Sequence, residues 1–408
     1  MKITIPEFCL VVLVGAPGSG KSVFANAHFA ADEIIVPMIG NDAPELAEDQ
    51  SRLLQELIEV RLRHRQLTVV DAPNLRRQHR AMLVQVAHQT YAQAVSVVLT
   101  SGRQSHLLEE SLEHIGKEGF QEVHVLSSQE ELAGVTIERR RLRTDRRDET
   151  GPFDIIGDVH GCVDELIALL AKLGYAVEIV GTGEQRRVIS RTPAGRRAVF
   201  VGDLVDRGPA SPDVLRIVMH MIREGQALAV PGNHDAKLLR WLKGSKVKMT
   251  HGIAETISQL EKEPESFRHE VRTFIENLVS NLWLDGGRLA VAHAGIKEEM
   301  LGRASALIRE FCLYGETSGE TDEFGLPIRY HWAAEYTGET TIVYGHTPVP
   351  EAEWLNNTLC VDTGCVFGGR LTALRWPERE IVSVPAARAY AAAIRPFAHP
   401  PLRPGFSP

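Results

Sequence analysis

Residues 154–161 read Asp154-Ile155-Ile156-Gly157-Asp158-Val159-His160-Gly161. An apolar strand, Asp154–Gly157, runs directly into an aspartate and a histidine framed by glycines. A strand delivers its last side chains to one edge of a sheet, and flanking glycines let the backbone turn sharply beneath a bulky ligand. Four further segments share this design: Gly202-Asp203-Leu204-Val205-Asp206-Arg207-Gly208, Gly232-Asn233-His234-Asp235, His293-Ala294-Gly295 and Gly345-His346-Thr347-Pro348. The strands expected ahead of them are Ala198–Gly202, Ala227–Val230, Leu289–His293 and Thr341–Tyr344. A single Asp-x-His or Asn-His is weak evidence, more often a cap or a surface pair. Five such segments in order, each closing a strand, read as a functional site.

Gathered at that edge, Asp158, His160, Asp203, Asn233, His293 and His346 offer carboxylate, imidazole and amide donors. This set suits Mn²⁺ first, with Fe, Zn²⁺ or Ni²⁺ as alternatives, over Ca²⁺ or a thiolate-bound metal. Two divalent ions about 3.5–4 Å apart would acidify a bridging water and neutralise an attacked phosphoryl group. Asp203 is the candidate shared ligand. His234 directly follows a ligand, so it stands beside the metals without binding one. Asp206, three residues after Asp203, could hold that imidazole as the general acid for the leaving group. Arg207 offers a planar fork of donors to phosphate oxygens. The lone histidines His220 and His251 read as structural or exposed.

Around these segments the second half alternates strands and helices. The pattern predicts a helix over Cys162–Leu173, a hairpin pairing Val177–Val180 with Val188–Thr192 about Gly181-Thr182-Gly183, and a helix over Pro212–Glu224. A mostly helical stretch is expected from Asp235 to Leu282. Strands follow at Leu359–Asp362, Leu371–Arg375 and Ile381–Val384.

The first half reads as strands Cys9–Val14, Leu67–Asp71, Ala94–Thr100 and Glu122–Leu126, with helical spacing in Ser51–Arg65 and Arg77–Thr90. Such alternation implies a parallel sheet covered by helices. The apolar run Phe8–Val14 is too short for a membrane span and enters a glycine-rich turn, so it reads as a buried strand. That turn, Gly15-Ala16-Pro17-Gly18-Ser19-Gly20-Lys21-Ser22, matches a complete P-loop between a strand and a helix. Its backbone N–H groups would wrap a β-phosphate, Lys21 would reach the β/γ oxygens, and Ser22 would contact Mg²⁺. ATP or GTP is the expected ligand through Gly15, Gly18, Ser19, Gly20, Lys21 and Ser22.

The 408 residues suit two domains. The charged run from Glu138 to Pro152 marks the boundary, giving domains at 1–150 and 151–390 and a Pro/Gly-rich flexible tail at 391–408. That run reads either as a solvated linker or as a basic route for a polyanion. The net charge of −8 argues against a protein that coats nucleic acid non-specifically. Five scattered cysteines without a C-x-x-C pair point to a reducing cytoplasm. No membrane association is expected, and the oligomeric state is not legible.

The order GDVHG, GDLVDRG, GNHD, HAG and GHTPV resembles the PPP-type calcineurin-like metallophosphoesterases. That resemblance implies a β-sandwich flanked by helices. It places Asp158, His160 and Asp203 on one metal and Asp203, Asn233, His293 and His346 on the other. His234 with Asp206 becomes the acid pair, and Arg207 the phosphate clamp. A P-loop domain ahead of such a domain is similar to the bacterial polynucleotide kinase-phosphatases of RNA end healing. The longer matches Tyr344–Asn357 and Val361–Gly369 carry this likeness, which adds Asp362 to the site. It implies a 5′-OH kinase and a phosphatase acting on 3′-phosphate or 2′,3′-cyclic phosphate ends of RNA or DNA. The sequence stops near the phosphatase end, so that family's ligase-like domain is expected to be either absent or cut away, with a separate ligase or end-modifying protein as the expected partner.

The kinase half departs from that family. In place of its Asp and Arg turn the chain reads Val36-Pro37-Met38-Ile39-Gly40-Asn41-Asp42, and its arginine-rich lid is reduced to Arg103 and Lys117 in 101–119. Phosphoryl transfer depends on positioning and charge neutralisation, so weak or absent kinase activity is expected. The alternative functions are a PPP-type Ser/Thr protein phosphatase or a dinucleoside tetraphosphatase regulated by nucleotide binding, and a nucleotide-sensing scaffold.

Overall fold

A computed structural model of the chain describes residues 1–37, 48–101, 106–397 and 400–403. It divides into two compact units, Met1–Leu142 with Arg303–Leu307, and Arg143–Gly302 with Ile308–Pro408.

The first unit is built on a five-stranded parallel sheet. Its order is Ile34–Ile35, Thr68–Val70, Leu10–Val14, Ala94–Leu99 and Glu122–Leu126. The central strand Leu10–Val14 is buried at every position, as a parallel strand covered on both faces must be. Leu10, Val12 and Val14 face Leu54, Ile58 and Leu83 of the helices Glu48–Arg63 and Arg77–Gln89. Val11 and Leu13 face Phe24 and Ala25 of the helix Lys21–His28. One pairing escapes the sequence pattern: Lys2–Pro6 runs parallel to Thr136–Arg140. The start of the charged run is therefore a strand rather than a linker. Asp42 and Arg103 lie outside the described residues.

The second unit is a sandwich of two sheets. The larger carries Ala227–Ala229, Arg197–Phe200, Phe153–Ile156, Arg370–Trp376 and Asp362–Thr363 in that order, with Glu380–Pro385 paired to Arg370–Trp376. The other runs Asn281–Leu284, Leu289–Ala292, Thr341–Tyr344, Thr358–Cys360 and Trp354–Leu355. Alternation along each strand assigns the faces. Phe153, Ile155, Val199 and Val201 point into the layer between the sheets, against Leu282, Val291, Val343 and Leu359. Ile156, Ala198 and Phe200 point outward onto Leu166, Leu170, Leu215 and Val218 of the helices Val163–Leu173 and Ser211–Arg223.

The stretch expected to be helical to Leu282 stops at Asn277, and Asn281–Leu284 is a strand antiparallel to Leu289–Ala292. Its Asn-Leu-Trp-Leu sequence runs into Asp285-Gly286-Gly287, a turn signal that outweighs the helical spacing before it. A hairpin of Thr317–Thr321 with Pro327–Arg329 is a further addition. All five cysteines are free and buried. Among the described residues, no helix is long and apolar enough to cross a membrane.

Candidate metal centre

In the larger sheet, Phe153–Ile156, Arg197–Phe200 and Ala227–Ala229 are mutually parallel. In the other, Leu289–Ala292, Thr341–Tyr344 and Thr358–Cys360 are parallel as well. Asp158, Asp203, Asn233, His293, His346 and Asp362 follow the carboxyl ends of these strands, where parallel strands place ligand sites. The backbone there is strained. His160, Asp203, Asp206, Arg207 and His346 have φ of 46°, 47°, 74°, 68° and 75°, a left-handed region that non-glycine residues hold only when their surroundings enforce it. Glycines make the remaining room: a Cβ on Gly232 would collide with the Asp203 carboxylate, and one on Gly345 with that of Asp158.

His293 Nδ1 lies 3.1 Å from the Val201 carbonyl, which commits its proton there and leaves Nε2 as a bare lone pair. That Nε2 sits 3.0 Å from Asn233 Oδ1, 3.0 Å from His346 Nδ1 and 3.5 Å from Asp203 Oδ1. His160 repeats the device: Nδ1 is 2.7 Å from the Val205 carbonyl, and Nε2 is 3.5 Å from Asp203 Oδ2. Asp203 thus presents one oxygen to each group of donors. The ligand atoms of Asp203, His293 and His346 lie within 4.8 Å of one another, as do those of His160, Asp203 and His234. Asp158 anchors through Oδ2, which accepts from the His346 N–H at 3.1 Å, while its Oδ1 and His346 Nε2 are buried without a hydrogen-bond partner among the described residues.

Burial, then the neighbouring Asp362 and Asp203, pushes the Asp158 carboxyl well above the carboxylate range. Burial raises Asp203 and Asp362 to about 7 each. The imidazoles move the other way: burial lowers His293 to about 3 and takes His160 and His346 well below the usual histidine value. Carboxylates that resist ionisation stand beside imidazoles that resist protonation, and a divalent cation relieves both. The residues present fit a two-metal centre.

Beside this set, His234 Nδ1 is 2.6 Å from Asp206 Oδ2, and both side chains are buried. The Asp206 N–H donates to Thr256 Oγ1 at 3.0 Å, fixing that carboxylate's loop, and burial raises Asp206 to about 6. Asp235 braces the loops from behind, accepting from the Leu204 and Gly232 N–H groups at 3.1 and 2.8 Å. Arg207 Nη1 is 2.6 Å from His160 Nε2, and its guanidinium lies 5.1 Å from the Phe367 ring centre.

All ten residues expected at this site come together. The sequence reading missed the walls. A cavity of about 290 Å³ above Asp203 and His234 is also lined by His251, Arg329, Phe367 and the segment Ala393–Phe397. His251 is a wall residue rather than a bystander. The chain end, expected as a flexible tail, contributes Phe397, whose ring centre is 5.9 Å from that of Phe367.

In the first unit, Gly15–Ser22 forms the expected loop ahead of the helix Lys21–His28, with Gly18 and Gly20 at φ of 80° and 92°. Lys21 Nζ donates to the Gly15 and Ala16 carbonyls at 2.8 and 2.9 Å. Ser19 Oγ is buried without a hydrogen-bond partner among the described residues.

The sequence model of the calcineurin-like phosphoesterases matches residues 151–375, and that of an AAA domain matches residues 10–106. The bis(5′-nucleosyl)-tetraphosphatase PrpE (asymmetrical) of Anoxybacillus flavithermus is 45% identical over 250 residues, 60% of this chain and 99% of that protein. Its Bacillus subtilis counterpart is 44% identical over 243 residues, 58% of this chain and 96% of that protein. Among solved structures, that of a Pnkp1/Rnl/Hen1 complex aligns over 84% of this chain and 90% of that chain, at 13% identity and a TM-score of 0.20.

Proposed function

The chain belongs to the calcineurin-like phosphoesterases, and from that premise we propose that this phosphoester hydrolase cleaves dinucleoside tetraphosphates asymmetrically, releasing a nucleoside monophosphate and a nucleoside triphosphate. The observation carrying this reading is the identity to PrpE, which extends over 99% of that relative.

The family uses divalent metals. We assign Asp158, His160 and Asp203 to one ion and Asp203, Asn233, His293 and His346 to the other, with Mn²⁺ the best match to this donor set. Bound there, the ions would supply an acidic water and neutralise charge on the attacked phosphoryl group. The chain's own groups complete the step. Arg207 holds phosphate oxygens with its planar fork. His234 Nε2 gives a proton to the leaving phosphate, while Asp206 keeps the imidazole oriented through Nδ1. Asp362, buried and accepting from the Gly364 N–H at 3.0 Å, adds negative charge beside the ions.

A second reading, cleavage at polynucleotide 3′ ends, is favoured by the P-loop in the same chain. In both readings the P-loop binds ATP with Mg²⁺ and transfers phosphate weakly or not at all, and the enzyme works in the cytoplasm. The test incubates the full chain, with Mn²⁺, separately with diadenosine tetraphosphate and with RNA ending in a 2′,3′-cyclic phosphate. AMP plus ATP from the first supports the tetraphosphatase. ADP as the main product, or turnover of the RNA alone, overturns it.

A further inference from the structure

The metal-ligand loops form the floor of the 290 Å³ cavity and leave its walls to parts of the chain that carry none of the motifs. One wall is the chain end. The Ala386 N–H donates to the Gly369 carbonyl at 2.9 Å, and the Tyr390 and Ala391 N–H groups donate to that of Val366 at 2.9 and 3.1 Å. The Tyr390 hydroxyl reaches the buried Glu165 carboxylate at 2.9 Å. These bonds fasten residues 386–391 to the loop that follows Asp362. Beyond them the Phe397 ring lies directly on Gly364, at a φ of 67°, where any Cβ would displace it.

The facing wall is the hairpin Thr317–Thr321/Pro327–Arg329, which supplies Leu326, Pro327 and Arg329. Arg395 joins the two walls through an ion pair of 3.0 Å with Asp322. The cavity lining combines apolar groups with the guanidinium groups of Arg207, Arg329 and Arg395. Ile394 is 52% exposed, an apolar side chain at the rim with its surface uncovered.

A phosphoryl group needs only the floor and the arginines. It has no use for an aromatic and aliphatic wall, whose apolar surface gains free energy only when a ligand covers it. The volume lies at the lower end of the roughly 300–1,000 Å³ typical of small-ligand sites. Guanidinium groups and apolar side chains lining one cavity above a candidate metal-binding floor match a ligand that is apolar and planar at one end and polyanionic at the other.

We infer that Phe367, Ile394 and Phe397 form a nucleoside subsite, receiving the base of a nucleotide whose phosphates pass Arg329 and Arg207 on the way to Asp203. The inference rests on the nucleotide-substrate reading above and deepens it, because the C-terminal segment would then set the preference for nucleotides over other phosphate esters.

The test measures inhibition of p-nitrophenyl phosphate hydrolysis by AMP and by inorganic phosphate, using the full chain with Mn²⁺. Base stacking on an aromatic side chain is worth enough for AMP to bind about tenfold or more tighter than phosphate. In Phe397→Ala and in Ile394→Asp that ratio should collapse toward one. Ile394 is exposed, so its variant probes the subsite even where Phe397→Ala melts early. A wild-type ratio near one, or an unchanged ratio in Ile394→Asp, overturns the inference. Tight AMP binding by a chain that leaves diadenosine tetraphosphate intact would sink the substrate reading and keep the subsite. The converse result would do the opposite.

Discussion

His234 Nδ1 lies 2.6 Å from Asp206 Oδ2, and that bond turns the opposite ring nitrogen to within 4.0 Å of Asp203 Oδ2, at the centre of the candidate metal-ligand set. A general acid matters most where the leaving group is a poor one. His234→Ala should therefore lower kcat by about 10²–10⁴-fold on an alkyl or nucleotide phosphate, and far less on p-nitrophenyl phosphate, whose phenolate leaves without a proton. Asp206→Asn should follow the same selectivity with a smaller loss. Comparing kcat for the two substrate types checks this. Equal losses on both would remove the acid role and leave only a structural one.

Asp203 offers one oxygen to the His293 side and the other to the His160 side, at 3.5 Å each. Asp203→Asn should therefore reduce metal content at both positions, whereas His293→Ala should remove about one equivalent. Elemental analysis of the purified variants reads this directly. Thermal melts give the linked effect: a ligand at about 100 times its Kd stabilises by about 2.7 kcal/mol, so adding Mn²⁺ should raise the wild-type Tm. That shift should vanish in Asp203→Asn, while the metal-free variant, relieved of one of the buried carboxylates crowded there, should melt no lower than the metal-free wild type.

The floor of this site was legible because its candidate residues lie in short segments that follow apolar strands, a local pattern that survives without knowing what the strand pairs with. Its walls were not. Phe397 reaches the cavity because it rests on Gly364, and Arg329 because a hairpin folds over, and neither contact leaves a periodic trace. The same reason hid the pairing of Lys2–Pro6 with Thr136–Arg140. Strand Asn281–Leu284 was masked by the helical spacing before it, and only the turn Asp285-Gly286-Gly287 signals the change.

Lys21 Nζ is held by the Gly15 and Ala16 carbonyls, so nucleotide binding must draw the ammonium from these bonds onto phosphate oxygens. ATP with Mg²⁺ should bind to the wild type, and Lys21→Ala should weaken it by at least about tenfold, the scale of one charge-assisted contact. Titration calorimetry measures this. Label transfer from ATP to a 5′-OH RNA should stay near background in both proteins. Efficient transfer that disappears in Lys21→Ala would show the kinase half to be intact.

Arg196 grips Glu378 with both terminal nitrogens, at 2.8 and 3.0 Å, and also holds the buried Asp154 through Nε. The Arg196 hydrogen bonds lower the Glu378 carboxyl to about 2. Its folded pKa lies below its unfolded one, so the contribution to stability is present above the ordinary glutamate range and fades as pH falls from about 4.5 toward 2. Glu378→Gln should then cost stability at neutral pH and progressively less as acid is added, the two denaturation curves converging as pH falls through about 2. The side chain is 47% exposed, which screens the pair and keeps the neutral-pH cost under about 1 kcal/mol. Urea midpoints across that pH range check the sign, and a gap that widens in acid would contradict it.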